Sequence, residues 1–342
     1  MDPGENFVTE SLLKIDSLKV WFSGQSGFLA DLFQRPAYIK AVDGVSFELD
    51  RGEILGLAGE SGCGKTTTAY TVLALYEPAE GKILFAGTDL SSLKGQGLKT
   101  FRQKVQIIFQ DPYQSLNPRF TVMKSVSEPL VIHGIGNQQE RMDRTLAALR
   151  SAGMIPPEDF LERYPHELSG GQRQRIAIAR AIVLDPSLLV ADEPVSMLDV
   201  SVRAGILNLL KGFARQRNMG IIYISHDLGT IRYICDRTAI MYLGRIVEIG
   251  RSEDVIRHPF HPYTKALIDS VPENNPRIKR VEANLLGRFI EAERPEFGCR
   301  FSPRCPRSME LCSRQEPELM KVGEAHEAAC FQFNGFSKGM NS

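Results

Sequence analysis

Net charge is missing from this chain, since 41 Lys and Arg balance 41 Asp and Glu over 342 residues. That removes a general surface field as the means of holding nucleic acid or an anionic membrane, so any partner must be recognised locally. No apolar run approaches the roughly 18 residues that cross a bilayer. The opening MDPGENFVTE has neither the basic start nor the apolar core of a signal peptide. Together these absences predict a cytoplasmic protein. No heptad run marks a coiled-coil arm. Cysteine is scarce: of six, Cys63 and Cys235 stand alone, while Cys299, Cys305, Cys312 and Cys330 gather near the end. Disulfides are not expected in the cytosol, so that gathering requires another explanation. The length admits two or three compact units, each with its own core.

What is present begins with strand patterns from Leu12 to Gly56, LLKIDSLKV, AVDGVSFEL and EILGLAG, interrupted by a loop from Ser23 to Pro36. The third strand ends in glycines and passes into a predicted helix from Thr66 to Leu75. Residues 113–165 turn helical, with Met142, Leu146 and Leu149 on one face before Gly153 and the Pro156-Pro157 stop. Further helices are predicted over Gln172 to Leu184 and Val200 to Arg217. Between and after them, LLVAD and IIYIS are short buried strands of the parallel kind. The alternation indicates an α/β core. RTAIMYLGRIVEIG adds two strands around Gly244, and from His258 onward proline, charge and cysteine replace periodicity. HPFHPY, taken alone, is a proline-stiffened linker.

Gly59-Glu60-Ser61-Gly62-Cys63-Gly64-Lys65-Thr66 fits G-x-x-x-x-G-K-[ST] after a strand and at the opening of a helix. Glycines let backbone N–H groups turn inward around phosphate oxygens, and the helix N-terminus adds partial positive charge. Lys65 is expected to reach the β- and γ-phosphates and Thr66, beside Thr67, to ligate Mg²⁺. Cys63 reads as a small filler. A buried strand ending in Asp192 and Glu193 needs something cationic or reactive at its tip. Asp192 suits the Mg²⁺ shell and Glu193 the base for an attacking water. His226 closes another strand and suits a γ-phosphate contact, while Gln110 closes Val105 to Phe109 and suits Mg²⁺ or water. Leu168-Ser169-Gly170-Gly171-Gln172 starts a helix and makes a second anion-binding N-terminus, so two phosphate groups or two chains are implied.

In this order and spacing, GESGCGKT, Gln110, LSGGQ, LLVADE, the SMLD at Ser196 to Asp199 and His226 resemble the ATP-binding-cassette (ABC) ATPase family. The resemblance covers Leu12 to about Gly250. It implies an α/β P-loop NTPase core with an antiparallel β subdomain and an inserted helical subdomain over about 112–165, followed by a small cysteine-rich extension. The domains would be 1–257 and 258–342. It further implies two subunits packed head to tail, with Ser169, Gly170, Gly171 and Gln172 covering ATP on the partner and Asp199 at the seam. Phe22 is the candidate for stacking on adenine and Trp21 the alternative. The groove of Gln110 and the segment Asp111 to Pro165 would receive a permease helix.

The IFQDPYQSLNPR run, HPFHPYTKAL and the cysteine tail are similar to the oligopeptide and dipeptide importers. That resemblance implies an Mg-ATP-hydrolysing subunit on the cytoplasmic face of the membrane. Its partners would be a paralogous ATPase subunit, two transmembrane permeases and an extracytoplasmic solute-binding protein, with no nucleic acid. Relatives in this group carry peptides, oligosaccharides or metal chelates. A soluble ABC protein acting on nucleic acid or ribosomes is the rival class. In the tail, Cys299, Cys305, Cys312 and Cys330 lack the C-x2-C pairs of structural zinc sites. They suit a [4Fe-4S] cluster, as some relatives carry, with zinc or free thiols as alternatives.

Overall fold

The structure is a computed structural model that describes residues 11–23, 38–270 and 295–333. MDPGENFVTE, and the loop after Ser23 as far as Pro36, lie outside the described residues. The chain opens with β1 (Leu13–Ser23), β2 (Tyr38–Leu49), β3 (Ile54–Ala58) and α1 (Lys65–Val72). It continues with β4 (Glu80–Phe85), β5 (Thr88–Asp89), α2 (Gln96–Lys104) and β6 (Val105–Ile108). A helical stretch follows, made of α3 (Pro112–Ser115), α4 (Val122–His133), α5 (Gln138–Ser151) and α6 (Gly170–Ile182). Next come β7 (Leu188–Asp192), α7 (Val200–Arg217), β8 (Gly220–Ile224), α8 (Leu228–Ile234), β9 (Arg237–Tyr242), β10 (Arg245–Arg251) and α9 (Ser252–Arg257). The last described elements are α10 (Pro262–Asp269), α11 (Glu310–Arg314), β11 (Met320–Gly323) and β12 (His326–Ala328).

Two sheets organise the molecule. β2, β1, β4 and β5 form a four-stranded antiparallel sheet. The second sheet has eight strands in the order β11, β12, β10, β9, β3, β8, β7, β6. Its part from β9 to β6 is parallel. β3, β7 and β8 are buried along their whole length, as strands covered on both faces must be, which explains their unbroken apolar runs.

Two apolar clusters fill the molecule. One packs the antiparallel sheet against α1, α2 and one face of the large sheet through Leu13, Val45, Val72, Phe101 and Ile222. The other joins the opposite face to the helical stretch and the extension through Leu130, Leu149, Ile178, Tyr223 and Phe301. α5 starts at Asn137 with a capping box to Glu140, which satisfies two backbone donors at once.

The predicted helix from Thr66 ends three residues early, because the chain leaves helical geometry after Val72 and Ala74 adopts positive φ. β4, β5 and α2 escaped the sequence pattern. β5 is two residues long, and α2 buries only Phe101, so neither produces a period. The same holds beyond His258: α10, α11, β11 and β12 are short, and the β11–β12 hairpin joins the large sheet through β10.

The HPFHPY segment is more than a linker. Glu248, fully buried on β10, accepts the N–H groups of Phe260 and His261 at 2.8 and 2.9 Å. The buried His261 ring then caps α10 by accepting the Tyr263 N–H at 3.1 Å.

Candidate functional site

Parallel pairing brings the site together. Register aligns Ile108 with Ala191, Asp192 with Ile224, and Leu57 also with Ile224. The residues just past these strands, Gln110, Glu193, His226 and the phosphate loop, therefore emerge at one sheet edge, where open parallel sheets hold ligands.

The loop from Gly59 to Gly64 is held open by glycines. Gly59 has φ +146, and a Cβ there would stand 2.2 Å from the Met241 carbonyl. Gly64, at φ +105, would meet the Ala41 carbonyl at 2.5 Å. Gly62, at φ +78, faces open space, and Ser61 and Thr66 are exposed beside it. Thr67, in the first turn of α1, is half-buried, its carbonyl taking the Thr71 hydroxyl. Lys65 is buried and donates to the carbonyls of Gly59 at 2.7 Å and Glu60 at 2.8 Å. Cys63 is buried, and burial pushes its thiol up, so it stays a neutral filler. The pliable backbone and the lysine at its mouth suit a polyphosphate.

Glu193 sits at the centre of the opposite side. Its Oε2 accepts Gln110 Nε2 at 3.0 Å, and its Oε1 lies 2.8 Å from His226 Nδ1. The residue adopts positive φ, and its N–H is fixed to the Ile224 carbonyl at 2.9 Å. That backbone is uncommon for a non-glycine residue. Asp192 is buried. Desolvation raises its carboxyl, and a hydrogen bond from the Thr66 side chain opposes that rise. The pair expected to ligate Mg²⁺, Asp192 and Thr66, is thus already in contact, and an oxygen-only donor set suits that hard cation.

The signature segment lies elsewhere in the chain's fold. Ser169 is the N-cap of α6: its Oγ accepts the Gln172 N–H at 3.3 Å, and Gln172 Oε1 accepts the Ser169 N–H at 3.0 Å. Gly170 and Gly171 open that helix against α7, and a Cβ on Gly171 would strike Val202 at 2.7 Å. Asp199 is exposed at the N-cap of α7, flanked by exposed Met197 and Val200.

Trp21 and Phe22 part company. Trp21 lines a cavity of about 870 Å³ with Tyr38, Lys40, Gly62 and Arg245, beside the phosphate loop. The Lys40 ammonium lies 4.9 Å from its ring centre. Phe22 instead meets Tyr76 edge-on at 5.3 Å.

The cysteine tail corrects the iron–sulfur expectation. Among the described residues no group of three or more His, Cys, Asp or Glu side chains is arranged to hold a metal ion. Cys299, Cys305, Cys312 and Cys330 do line one common void, yet they are not arranged as such a group. Burial raises Cys299 to about 11 and pushes Cys305 and Cys330 up as well. Neither [4Fe-4S] nor zinc is supported. Packing and ion pairs hold the tail instead. Buried Phe301 sits on Tyr242 and Tyr263, Arg300 pairs with Asp43 and Glu316, and His326 Nε2 lies 2.7 Å from Glu248.

With this geometry in hand, residues 42–196 match the ABC transporter family and residues 247–312 the oligopeptide/dipeptide transporter C-terminal region. The oligopeptide transport ATP-binding protein AppF of Bacillus subtilis is 44% identical over 95% of this chain and 98% of its own length. The dipeptide transport ATP-binding protein DppF of Haemophilus influenzae is 41% identical over 94% of this chain and 97% of its own. Among solved structures, the dimeric post-hydrolysis state of the ATP-binding cassette MJ0796, bound to ADP and Pi, superposes with a TM-score of 0.61. It is 27% identical over 70% of this chain and 98% of that one. This chain belongs to the ABC transporter ATP-binding proteins of the oligopeptide/dipeptide type.

Proposed function

We propose that the chain is the ATP-hydrolysing subunit of a peptide importer, binding Mg-ATP between its own phosphate loop and the signature loop of a second, paralogous ATPase. The observation that carries the site assignment is the convergence of Lys65, the Asp192–Thr66 pair and the Gln110–Glu193–His226 set at one sheet edge. Peptide as cargo rests on relatives named for oligopeptide and dipeptide transport. Two permeases and a solute-binding protein complete the assembly, with this subunit peripheral on the cytoplasmic face. Residues 1–257 form the ATPase unit and 258–342 the extension.

In this reading the amides of Ser61 to Thr66 and the Lys65 ammonium hold the substrate's phosphates, and Trp21 stacks on its adenine. Thr66, Asp192 and Gln110 hold Mg²⁺, which when bound neutralises charge on the phosphate oxygens. Glu193 orients a water towards the γ-phosphorus and takes its proton, releasing the Gln110 amide as it does so. His226 keeps the Glu193 carboxylate aimed and meets the γ-phosphate. This chain's Ser169 and Gly170–Gly171 amides complete the anion cage around the partner's ATP, and the partner's signature loop does the same here, when the subunits close, so loss of the γ-phosphate reopens the pair. The dimeric state of the similar cassette supports an assembly of two ATPase subunits.

Glu193→Gln tests the assignment. Turnover by the assembled importer should fall by roughly 10²- to 10⁴-fold while ATP is still bound and the ATPase pair stays closed. Unchanged turnover removes Glu193 from the role of base.

A further inference from the structure

Glu60, the second residue of the phosphate loop, is held at its side chain and at both backbone groups, and the C-terminal extension supplies two of these holds. Arg304 extends a two-pronged contact to its carboxylate, Nη1 to Oε2 and Nη2 to Oε1, each at 3.2 Å. The arginine side chain is 6% exposed and the glutamate 18%, so the pair is sheltered from solvent screening. The Glu60 N–H donates to the Tyr263 hydroxyl at 2.9 Å, and Tyr263 is fully buried on α10. The third hold is Lys65, whose ammonium donates to the Glu60 carbonyl.

The tail makes a second contact behind the same loop. Arg300 pairs with buried Asp43 and donates to the Leu243 carbonyl in the β9–β10 turn, whose Gly244 N–H binds the Cys63 carbonyl at 2.9 Å. Phe301 anchors both arginines by packing fully buried on Tyr242 and Tyr263.

The chemistry of binding gives these contacts their meaning. When Lys65 turns to a phosphate it leaves the Gly59 and Glu60 carbonyls. The Glu60 carbonyl then keeps the Cys63 N–H at 3.3 Å, while Tyr263 still holds its amide and Arg304 its side chain. We propose that the extension braces the phosphate loop for nucleotide binding and that Arg304 is its positioning residue. This rests on the reading of residues 59–66 as the ATP site.

Steady-state hydrolysis by the assembled importer, and binding of a fluorescent ATP analogue to the full chain, test it. Arg304→Met should raise the KM for ATP by roughly tenfold, with a smaller fall in kcat, as expected when a binding group is slightly misplaced. Arg304→Lys, which keeps the charge and loses the fork, should fall between parent and Met. Glu60→Gln leaves the tail's own sequence intact and should reproduce the Arg304→Met effect, and the double variant should be no worse than either single.

A KM within about twofold of the parent in Glu60→Gln overturns the proposal, whether or not Arg304→Met folds. Effects that multiply in the double variant overturn it as well. A control keeps the two readings apart: if Lys65→Ala still binds the analogue as the parent does, the assignment of the phosphate loop has failed, independently of the brace.

Discussion

Trp21 and Phe22 are neighbours on one strand, yet only the first reaches the cavity beside the phosphate loop, because consecutive β side chains point to opposite faces. Trp21→Ala should therefore raise the KM for ATP by about tenfold, the loss expected of one base stack. Phe22→Ala should leave it nearly unchanged, and a hydrolysis titration with ATP separates the two. The glycines of the loop differ in a similar way. Gly59 and Gly64 are fixed by backbone carbonyls that a Cβ would strike, whereas Gly62 faces open space at a φ of +78. The motif marks all of them alike, and only their surroundings tell them apart.

At the scale of the element, the instructive one is α10, a helix of eight residues whose start is set by His261 and Glu248. Complete burial holds the His261 imidazole down to about 4, against the pull of the neighbouring Glu248 carboxylate. Between pH 6.5 and that value the unfolded chain binds a proton that the folded chain refuses. Stability must then fall as the pH drops through this window, by about 3 kcal/mol once both values are passed. Thermal unfolding of the full chain from about pH 7 to pH 5 should show the decline, and His261→Asn, which can still cap the helix, should flatten it. The breaks in the HPFHPY sequence suggested a linker because proline stiffness is visible in the chain, while the buried carboxylate on β10 that organises the segment is not.

For the whole molecule, the separation of the phosphate loop from the signature segment matters most. Ser169 spends its hydroxyl capping its own helix, so its substitution has two consequences. Ser169→Ala should lower the stability of the isolated chain by about 1 kcal/mol through the lost cap. It should also cost the assembled importer roughly 10²-fold in turnover through the lost anion contact. Ser169→Asp keeps a cap but sets a negative charge toward the partner's phosphate, so it should spare stability and still abolish turnover. Unfolding curves and importer hydrolysis, measured side by side, distinguish the two losses. A Ser169→Ala importer with parental turnover would remove this residue from the second subunit's site.

By itself the sequence determined the phosphate loop, the carboxylates ending β7, the signature segment and the alternating α/β core, because each is written in contiguous residues or a local period. Helix α7 spans Val200–Arg217, in line with the helix expected there. Tertiary structure decided what depends on residues far apart in the chain. It set Gln110 and His226 on the two oxygens of Glu193, put Trp21 along the cavity and Phe22 against Tyr76, and gathered four cysteines at one void without arranging a metal-holding group among the described residues. It also drew Arg304 across 244 positions to Glu60. The physical reason is common to all of these: backbone periodicity is local, whereas burial, ion pairing and cavity size arise only where distant segments meet.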